Sequence, residues 1–278
     1  MSAITLWWHM LVRGEPEQTL QAINSLVNLY DGIVIAVDDG KDSDEVAKEL
    51  FYYPNTYVYR QNFKDFKSYG KARQDVLDRV PVCDYVGRSD ADELLISNPI
   101  EIRKWLDKVK PPAVRGATHY VYDSGWCRAG ETLRTEGIRI WKYGTRVWKR
   151  PAHEYPYPIV GEDIWVDGDI LFNHINQEAP GSKMEFIVAL MQQEVDAGNF
   201  EYMWYQAREY AVGGHIDKSI SMCFDYLILG LRDREIFDLA LWGMSKLSKE
   251  QRDYEGLLKK LRIVDRIVGK DAEVKKEF

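Results

Sequence analysis

The chain has 278 residues, of which 45% are hydrophobic and 29% charged, so it is long enough to bury a large core. Its formal net charge of −7 argues against a general affinity for nucleic acid or for anionic membranes. Three scattered cysteines give no disulfide framework, no apolar run reaches the ~18 residues of a membrane span, and no secretion signal is visible, so we expect a cytoplasmic protein without stable membrane insertion.

The first third of the sequence predicts strands that alternate with helices. Short apolar runs indicate strands over residues 4–12, 33–37, 56–59 and 84–87. Helical spacing indicates a helix after Pro16 with Leu20, Ile23, Val27 and Tyr30 on one side, a second through Val46 and Leu50, and a third over 69–80. This β-α-β order predicts a doubly wound, mostly parallel sheet with helices on both faces and ligands at the carboxyl ends of its strands.

The middle of the chain predicts short strands separated by turns, over residues 117–122, 138–143, 147–148 and 164–166. Between Lys110 and Arg150 there are nine basic and three acidic residues. One interpretation is a surface for an anionic acceptor or a departing diphosphate, formed by Arg128, Arg134, Arg139 and Lys142 with Trp126, Trp141 and Trp148. The other is a solvated strand face backed by tryptophans of the core.

The last hundred residues predict helices. Ser182 and Glu185 form a capping box that opens the first of them. Further helices are separated at Gly213-Gly214 and near residues 245–248. The stretch 214–220 is similar to the turn and second helix of a tetratricopeptide repeat, with Ser219 where alanine is preferred. We therefore predict two domains, residues 1–178 and 179–278.

The strongest local motif is Asp90-Ala91-Asp92, which follows a predicted buried strand. Two carboxylates separated by one residue point the same way in an extended chain and can face one Mg²⁺ or Mn²⁺. Such a cation bridges the phosphates of a nucleoside diphosphate and stabilises the charge left when the attached group departs. The alternative is a solvated acidic loop, because short motifs match by chance.

A second acidic cluster, Asp38-Asp39 with Asp42 and Asp44, also follows a predicted buried strand. A carboxylate there could accept a hydrogen bond from a uracil imide or a ribose hydroxyl. An aspartate-rich turn that caps the next helix is the alternative.

Several segments occur in the order found in the family 2 glycosyltransferases, which this sequence resembles. They are Met10–Glu15, Ile33–Gly40, Asp65-Phe66 with Ala72-Arg73, and Ser89–Glu93. They match the branch with an "MIVKNEE" opening, a "VDTGSTDGT" loop, a "DFA…ARN" helix and a "DADE" motif. Later, His153-Glu154 matches an "HE" pair, Phe172-Asn173-His174 matches an "I.H" strand, and the helical tail matches a tetratricopeptide-like appendage.

The sequence departs from the family pattern at three places. Gly14 and Gln74 stand where asparagine is usual, and the second aspartate of the acidic loop corresponds to either Asp42 or Asp44. These changes leave the chemistry intact but leave open which residues hold the base and the sugar.

The resemblance implies a GT-A fold, with a Rossmann-like, mostly parallel sheet followed by a helical region. It implies inverting transfer of a sugar from a nucleotide-diphosphate donor, most simply a UDP-sugar, with Mn²⁺ or Mg²⁺ as cofactor. Donor-binding roles are implied for Val12, Arg13, Asp38, Asp39, Arg73, Asp90, Ala91 and Asp92. Metal binding is implied for Asp90, Asp92 and His174.

An inverting transfer needs a general base that takes the acceptor's proton. Glu154 is the first candidate and Asp163 the second; a structural ion pair with a nearby arginine is the alternative role for Glu154. His174 could complete the metal shell or contact the diphosphate, and His153 has similar standing. A histidine at the end of an apolar strand is more often a satisfied core residue.

Two other functions compete with sugar transfer. A nucleotidyltransferase also uses paired aspartates and Mg²⁺, but this amino terminus lacks a glycine-rich phosphate loop. A catalytically inactive helical-repeat interaction protein is the other, and the joint presence of Asp90, Asp92 and Glu154 argues against it. The acceptor is open among glycans, proteins and modified nucleic-acid bases, and the helical region is a candidate surface for homo-oligomers.

Overall fold

The computed structural model describes residues 4–13, 16–39, 43–66, 68–121, 132–150, 154–175 and 184–229, together with 236, 239, 240 and 243. These residues fall into two compact units, one within 1–177 and the other within 178–278. The first unit is a mixed α/β domain and the second is helical, as the sequence predicts. No helix in the described ranges is long and apolar enough to span a membrane.

The described strands and helices alternate in the first unit. The strands are β1 (Leu6–Val12), β2 (Gly32–Asp38), β3 (Thr56–Gln61), β4 (Tyr85–Arg88), β5 (Glu93–Leu95), β6 (Ala113–Val121), β7 (Thr132–Lys142), β8 (Arg146–Lys149), β9 (Tyr155–Pro158) and β10 (Val166–His174). The helices are α1 (Pro16–Leu26), α2 (Ser43–Leu50), α3 (Phe63–Phe66), α4 (Tyr69–Asp78), α5 (Pro99–Val109), α6 (Met184–Asp196), α7 (Tyr202–Val212) and α8 (Ile216–Ile228).

The main sheet has the strand order β3-β2-β1-β4-β7-β6-β10-β5, and β8 pairs with β9 in a separate ribbon. Neighbouring strands from β3 to β4 are parallel, as are β6 and β10, whereas β7 runs antiparallel to both of its neighbours and β5 is antiparallel to β10. The sheet is therefore mostly parallel, and the fold class predicted from the sequence is confirmed.

Helices cover both faces of the parallel half. Alternate residues of β1 and β2 pack on one face against α1, α2 and α5, through residues such as Ile23, Val46 and Leu106. The opposite face packs against α4 through Ala72 and Val76. Strands β1 and β2 are apolar almost throughout because both of their faces are covered.

Two predicted boundaries need correction, and one helix has no counterpart among the predicted elements. Helix α1 ends at Leu26, so Val27 lies beyond it and is exposed. Strand β10 begins at Val166, and Ile164 is exposed before it. Helix α5 was not predicted, although Asn98 caps its amino end through two backbone N–H groups and Pro99 occupies the first turn, which is a recognisable start signal.

The second unit contains α6, α7 and α8. Helices α7 and α8 are separated at Gly213-Gly214, where the sequence predicts a break, and Gly214 has a positive φ. Their apolar faces pack together through Ala207 and Phe224. The capping residue Ser182 lies outside the described residues, as does the break near 245–248. The tetratricopeptide-like character of the unit stays a prediction.

Candidate active site

The carboxyl ends of the four parallel strands lie along one edge of the sheet. β1 pairs with β2 on one side and with β4 on the other, so it lies between Asp38, the last residue of β2, and Arg88, the last residue of β4. Strands two places apart are separated by roughly 10 Å. Both acidic clusters found in the sequence therefore begin at the same edge.

Asp38 is almost fully buried at this edge. Its Oδ1 accepts a hydrogen bond from the backbone N–H of Phe63 at 2.9 Å, and its Oδ2 lies 3.3 Å from Nε of Arg13. Arg13 is about half exposed, and the neighbouring Asp39 is exposed. Val12 has a fully buried side chain in the core, which leaves its main chain for any ligand contact.

Arg73 joins the first aspartate of the motif to the candidate base. Its Nη2 donates to Asp90 Oδ1, and its Nε donates to Glu154 Oε1 at 2.5 Å. The Arg73 side chain is only 6% exposed, and its guanidinium lies over the ring of Trp148 with Cζ 5.2 Å from the centroid. The buried guanidinium of Arg73 therefore contacts three residues that are far apart in sequence, Asp90, Trp148 and Glu154.

The charges in this group set the protonation state of Asp90. Burial acts to raise the pKa of Asp90, but the positive charges of Arg73, Arg88 and Arg139 outweigh it and hold the pKa below its ordinary value. Burial acts to lower the pKa of Arg73, and the carboxylates of Asp90 and Glu154 overcome it and raise that pKa. Both groups are thus charged at neutral pH.

Helix α4 holds the Glu154 segment in place. The backbone N–H of Gly70 donates to the carbonyl of Arg150 at 3.2 Å, and a Cβ at Gly70 would lie only 2.3 Å from that oxygen. Gln74 Oε1 accepts from the backbone N–H of Trp148 at 2.8 Å. The departure from asparagine at position 74 therefore has a structural use, because it fastens β8 to α4.

Glu93, the last residue of the acidic motif, is fully buried. Both of its oxygens accept from Arg139, at 2.7 and 2.8 Å, and Oε1 also accepts from the Thr118 hydroxyl at 2.9 Å. Glu93 Oε2 further accepts from the backbone N–H of Asp90 at 2.8 Å. We call Glu93, Arg139 and Thr118 the buried brace; it fixes the turn that carries the two aspartates.

Asp92 lies beside His174 because β5 pairs with β10. Their Oδ2 and Nε2 atoms are 3.2 Å apart, and both side chains are about a quarter exposed, at 24% and 23%. Burial acts to lower the pKa of His174, but the hydrogen bond to Asp92 and the nearby carboxylates raise it overall. Within the described ranges, no three histidine, cysteine, aspartate or glutamate side chains form a metal-binding cluster. Asp90 as a third ligand stays a prediction.

His9 carries no sequence signal, yet it is at the centre of the packing below the site. Its Nδ1–H donates to the Gly87 carbonyl at 2.8 Å, and its Nε2 accepts from Trp148 Nε1 at 3.0 Å. Burial, followed by the charge of Arg73, lowers the pKa of His9 to about 3. The imidazole is therefore neutral and structural, and it positions Trp148 under Arg73.

Asp163, the second candidate base, is held by its own neighbours. Oδ1 accepts from Arg146 at 2.5 Å and Oδ2 accepts from the Tyr155 hydroxyl at 2.8 Å. Glu154 Oε2, by contrast, has no hydrogen-bond partner among the described residues. Of the two candidate bases, Glu154 therefore retains more hydrogen-bonding capacity within the described residues.

The proposed acceptor surface of the basic middle segment is wrong for three of its members. Arg139 belongs to the buried brace, and Trp141 and Trp148 are buried in the core. Arg134 is exposed and pairs with Glu136, so it belongs to a solvated strand face.

Five other residues named in the sequence analysis lie outside the described residues: Gly14, Asp42, Trp126, Arg128 and His153. Asp44 is exposed and forms an ion pair with Arg60.

Sequence reasoning missed Arg88, which directly precedes Ser89 and the aspartate pair. Its Nε donates to the Ile138 carbonyl at 3.1 Å, and its Cζ lies 5.5 Å from the centre of the Trp148 ring. Burial and the charge of Arg139 lower the pKa of Arg88 to about 10, so it remains protonated at neutral pH. A basic residue two positions before the motif was the available signal.

No protein-family model and no curated protein sequence matches the chain. Solved structures similar to the chain include S. aureus TarS 1–349 (9% identity, 87% of this chain and 91% of that chain, TM-score 0.42). GalNAc-T7 with UDP, GalNAc and Mn²⁺ is similar at 11% identity (75% and 51%, TM-score 0.42). So is 4-diphosphocytidyl-2C-methyl-D-erythritol synthase from Anaerococcus prevotii, at 11% identity (51% and 71%, TM-score 0.36). These likenesses are too weak to decide a function.

Proposed function

We propose that this protein is a metal-dependent, inverting GT-A glycosyltransferase that transfers a sugar from a nucleotide-diphosphate donor, most simply UDP-linked. Residues 1–178 would form the catalytic domain, and residues 179–278 would form a tetratricopeptide-like appendage. The observation that carries the proposal is the contact of Arg73 with both Glu154 and Asp90. It supports a site in which the candidate base and the candidate donor-binding aspartate are one guanidinium apart.

We infer that a divalent cation would bind beside Asp92. An octahedral ion with bonds of about 2.1 Å separates adjacent ligand atoms by roughly 3 Å. Asp92 Oδ2 and His174 Nε2 lie 3.2 Å apart, which is a hydrogen-bonding distance that is also compatible with two ligands of one ion. We infer that Asp92 and His174 would hold Mn²⁺ or Mg²⁺, with Asp90 beside them. When bound, the cation would neutralise the diphosphate as it leaves; such ions take their remaining ligands from phosphate and water.

Glu154 would act as the general base. In a single displacement, the acceptor hydroxyl gives its proton to the carboxylate while its oxygen attacks the anomeric carbon, and the bond from that carbon to the diphosphate breaks. The Arg73 contact through Oε1 would fix the carboxylate and leave Oε2 for the proton.

Asp38, Asp39, Arg13 and the main chain of Val12 would hold the nucleoside at the ends of β1 and β2. Asp38 is already oriented by Phe63 N–H and by Arg13, so it offers a fixed acceptor rather than a mobile one. Ala91 would serve only as the spacer between the two aspartates.

A panel of nucleotide sugars, assayed with Mn²⁺ for slow hydrolysis of the donor, tests the proposal without an acceptor. We expect release of a free nucleoside diphosphate, and we expect Asp92→Ala to abolish it. Release of pyrophosphate from a nucleoside triphosphate would favour a nucleotidyltransferase instead. A fully active Asp92→Ala variant would exclude the metal role.

A further inference from the structure

Arg88 stands out among the three arginines that surround Asp90. Arg73 forms ion pairs with Asp90 and Glu154, and Arg139 forms a bidentate pair with Glu93. Arg88 forms no ion pair with any described carboxylate, and its side chain makes one hydrogen bond to the described residues, from Nε to the Ile138 carbonyl. The negative charges of the group are therefore committed to the other two arginines.

The end of the Arg88 side chain is placed for a ligand. Its two terminal nitrogens carry four N–H groups that have no acceptor among the described residues, yet neither nitrogen is sealed from solvent. The side chain is partly exposed, and Nη2 lies over Gly137, where an added Cβ would approach it to 3.2 Å. The Trp148 ring and the Ile138 carbonyl hold the guanidinium through one face and through Nε.

Arg88 lies next to the residues that the proposed reaction would use. It is the last residue of β4 and is followed by Ser89 and Asp90, at the border between the parallel strands and the antiparallel β7. Ser89 accepts a hydrogen bond from Trp8 Nε1 at 2.9 Å, so the segment is anchored on the other side. A planar fork of N–H donors at such a place is suited to two oxygens of a phosphate or carboxylate.

We propose that Arg88 binds an oxyanion of a donor held at the carboxyl ends of the parallel strands. This inference rests on the proposed function and extends it. The oxyanion is either a phosphate of the diphosphate or the carboxylate of an acidic donor sugar. In both cases Arg88 contacts the substrate directly, whereas Arg139 and His9 act only through other protein groups.

The test is equilibrium binding of four ligands in the presence of Mn²⁺: uridine, UDP, UDP-glucose and UDP-glucuronate. If the wild-type chain prefers another nucleoside, the same four forms of that nucleoside replace them. Wild-type protein that binds no nucleoside diphosphate would overturn the proposed function itself. If the wild-type protein does bind a nucleoside diphosphate, the inference about Arg88 is judged on the affinities of its Arg88 variants.

We expect Arg88→Gln to weaken one class of ligand by about 10-fold or more, as the loss of a charge-assisted hydrogen bond does. Equal weakening of UDP and both UDP-sugars, with uridine unchanged, supports the diphosphate as the source. Weakening of UDP-glucuronate alone supports the sugar carboxylate. Unchanged affinity for all four ligands would overturn the inference.

Two further variants separate binding from folding. Arg79→Gln is the matched control, because Arg79 also stacks on an aromatic ring, Tyr59, and pairs with Asp75, but it caps α4 away from the aspartate pair. It should bind all ligands as the wild type does. Arg88→Lys keeps the charge and should lose less affinity than Arg88→Gln. If Arg88→Gln fails to fold, an Arg88→Lys variant with wild-type affinity for every ligand, including the anionic ones, counts against the bidentate contact.

Discussion

Two groups of charges lie within a few residues of each other in this domain, and they are built differently. In the buried brace, Glu93 and Arg139 satisfy each other with two hydrogen bonds, and Thr118 adds a third partner. At the rim, Asp92 and Glu154 keep part of their hydrogen-bonding capacity, and Arg88 has no carboxylate partner in the described structure. The charges of the brace are paired with each other inside the protein, whereas the charges of the rim keep hydrogen-bonding capacity for a ligand.

The difference follows from solvent access. A fully buried charge is tolerated only when it is paired and hydrogen-bonded, and Glu93 meets this condition through Arg139 and Thr118. Partly exposed side chains such as Asp90, at 35%, and Asp92, at 24%, can exchange water for a ligand. Removing a brace residue should therefore change stability, and removing a rim residue should change activity.

The largest effect we expect comes from the rim. Glu154→Gln keeps an oxygen for Arg73 but cannot take the acceptor's proton, so transfer should fall by roughly 10²- to 10⁴-fold with little change in donor binding. Turnover with an identified acceptor and the donor dissociation constant measure the two quantities. Glu162→Gln, an exposed neighbour, is the control and should remain active. Full activity of Glu154→Gln would transfer the role to another residue.

The brace should show the opposite pattern. Arg139→Met leaves the Glu93 carboxylate buried without its partner, which should cost about 3–5 kcal/mol of the free energy of unfolding. Urea denaturation measures it. A double variant, Glu93→Leu with Arg139→Met, should recover part of that loss. If Arg139→Met costs less than 1 kcal/mol, the brace does not stabilise the fold as described.

A third prediction concerns His9, the buried histidine that accepts a hydrogen bond from Trp148. Its folded-state pKa of about 3 is below its ordinary value of 6.5, so the unfolded chain binds more protons between these values. Its contribution to stability is therefore complete above pH 6.5 and is lost as the pH falls towards 3, at roughly 1 kcal/mol per pH unit.

The pH dependence of denaturation by urea, measured from pH 7 to pH 4, checks this prediction. His9→Gln should flatten the dependence, whereas His119→Gln should keep the wild-type slope. An unchanged slope in His9→Gln would mean that another group causes the loss of stability in acid.

The smallest effect should come from the exposed ion pairs of β7. Glu136 lies 3.1 Å from Arg134 and 3.3 Å from Arg115, and all three side chains are at least one-third exposed. Glu136→Gln should change the free energy of unfolding by less than about 1 kcal/mol, because exposed pairs are screened by water. A loss comparable to that of Arg139→Met would remove the distinction between exposed and buried pairs.

The sequence predicts the parallel half of the sheet well, because its signals are local. The apolar runs of β1 and β2 and the helical spacing in α4 appear directly in the chain. The position of Asp38 at a strand end and of Asp90 just after one follows from the same patterns. The three-residue strand β5 is too short for a periodic signal, and its pairing with β10, which brings Asp92 to His174, depends on residues far apart in sequence.

The partners of the charged residues are the part that sequence reasoning missed. Arg134 and Arg139 are both arginines of β7, yet Arg139 is buried against Glu93 and Arg134 pairs on the surface. Arg88 is one arginine among many until the structure shows that it forms no ion pair with a described carboxylate. Local patterns locate a charge on a strand, but only the tertiary fold decides what neutralises it.

The proposed function depends on Asp92, which would hold a divalent cation against the diphosphate of a nucleotide. The most direct test is the shift in melting temperature caused by a nucleoside diphosphate, measured with and without Mn²⁺, in wild-type protein and in Asp92→Ala. A ligand that binds only the folded state raises its stability. We predict a shift that requires Mn²⁺ in the wild type and is absent in Asp92→Ala. The same Mn²⁺-dependent shift in both proteins would contradict the account.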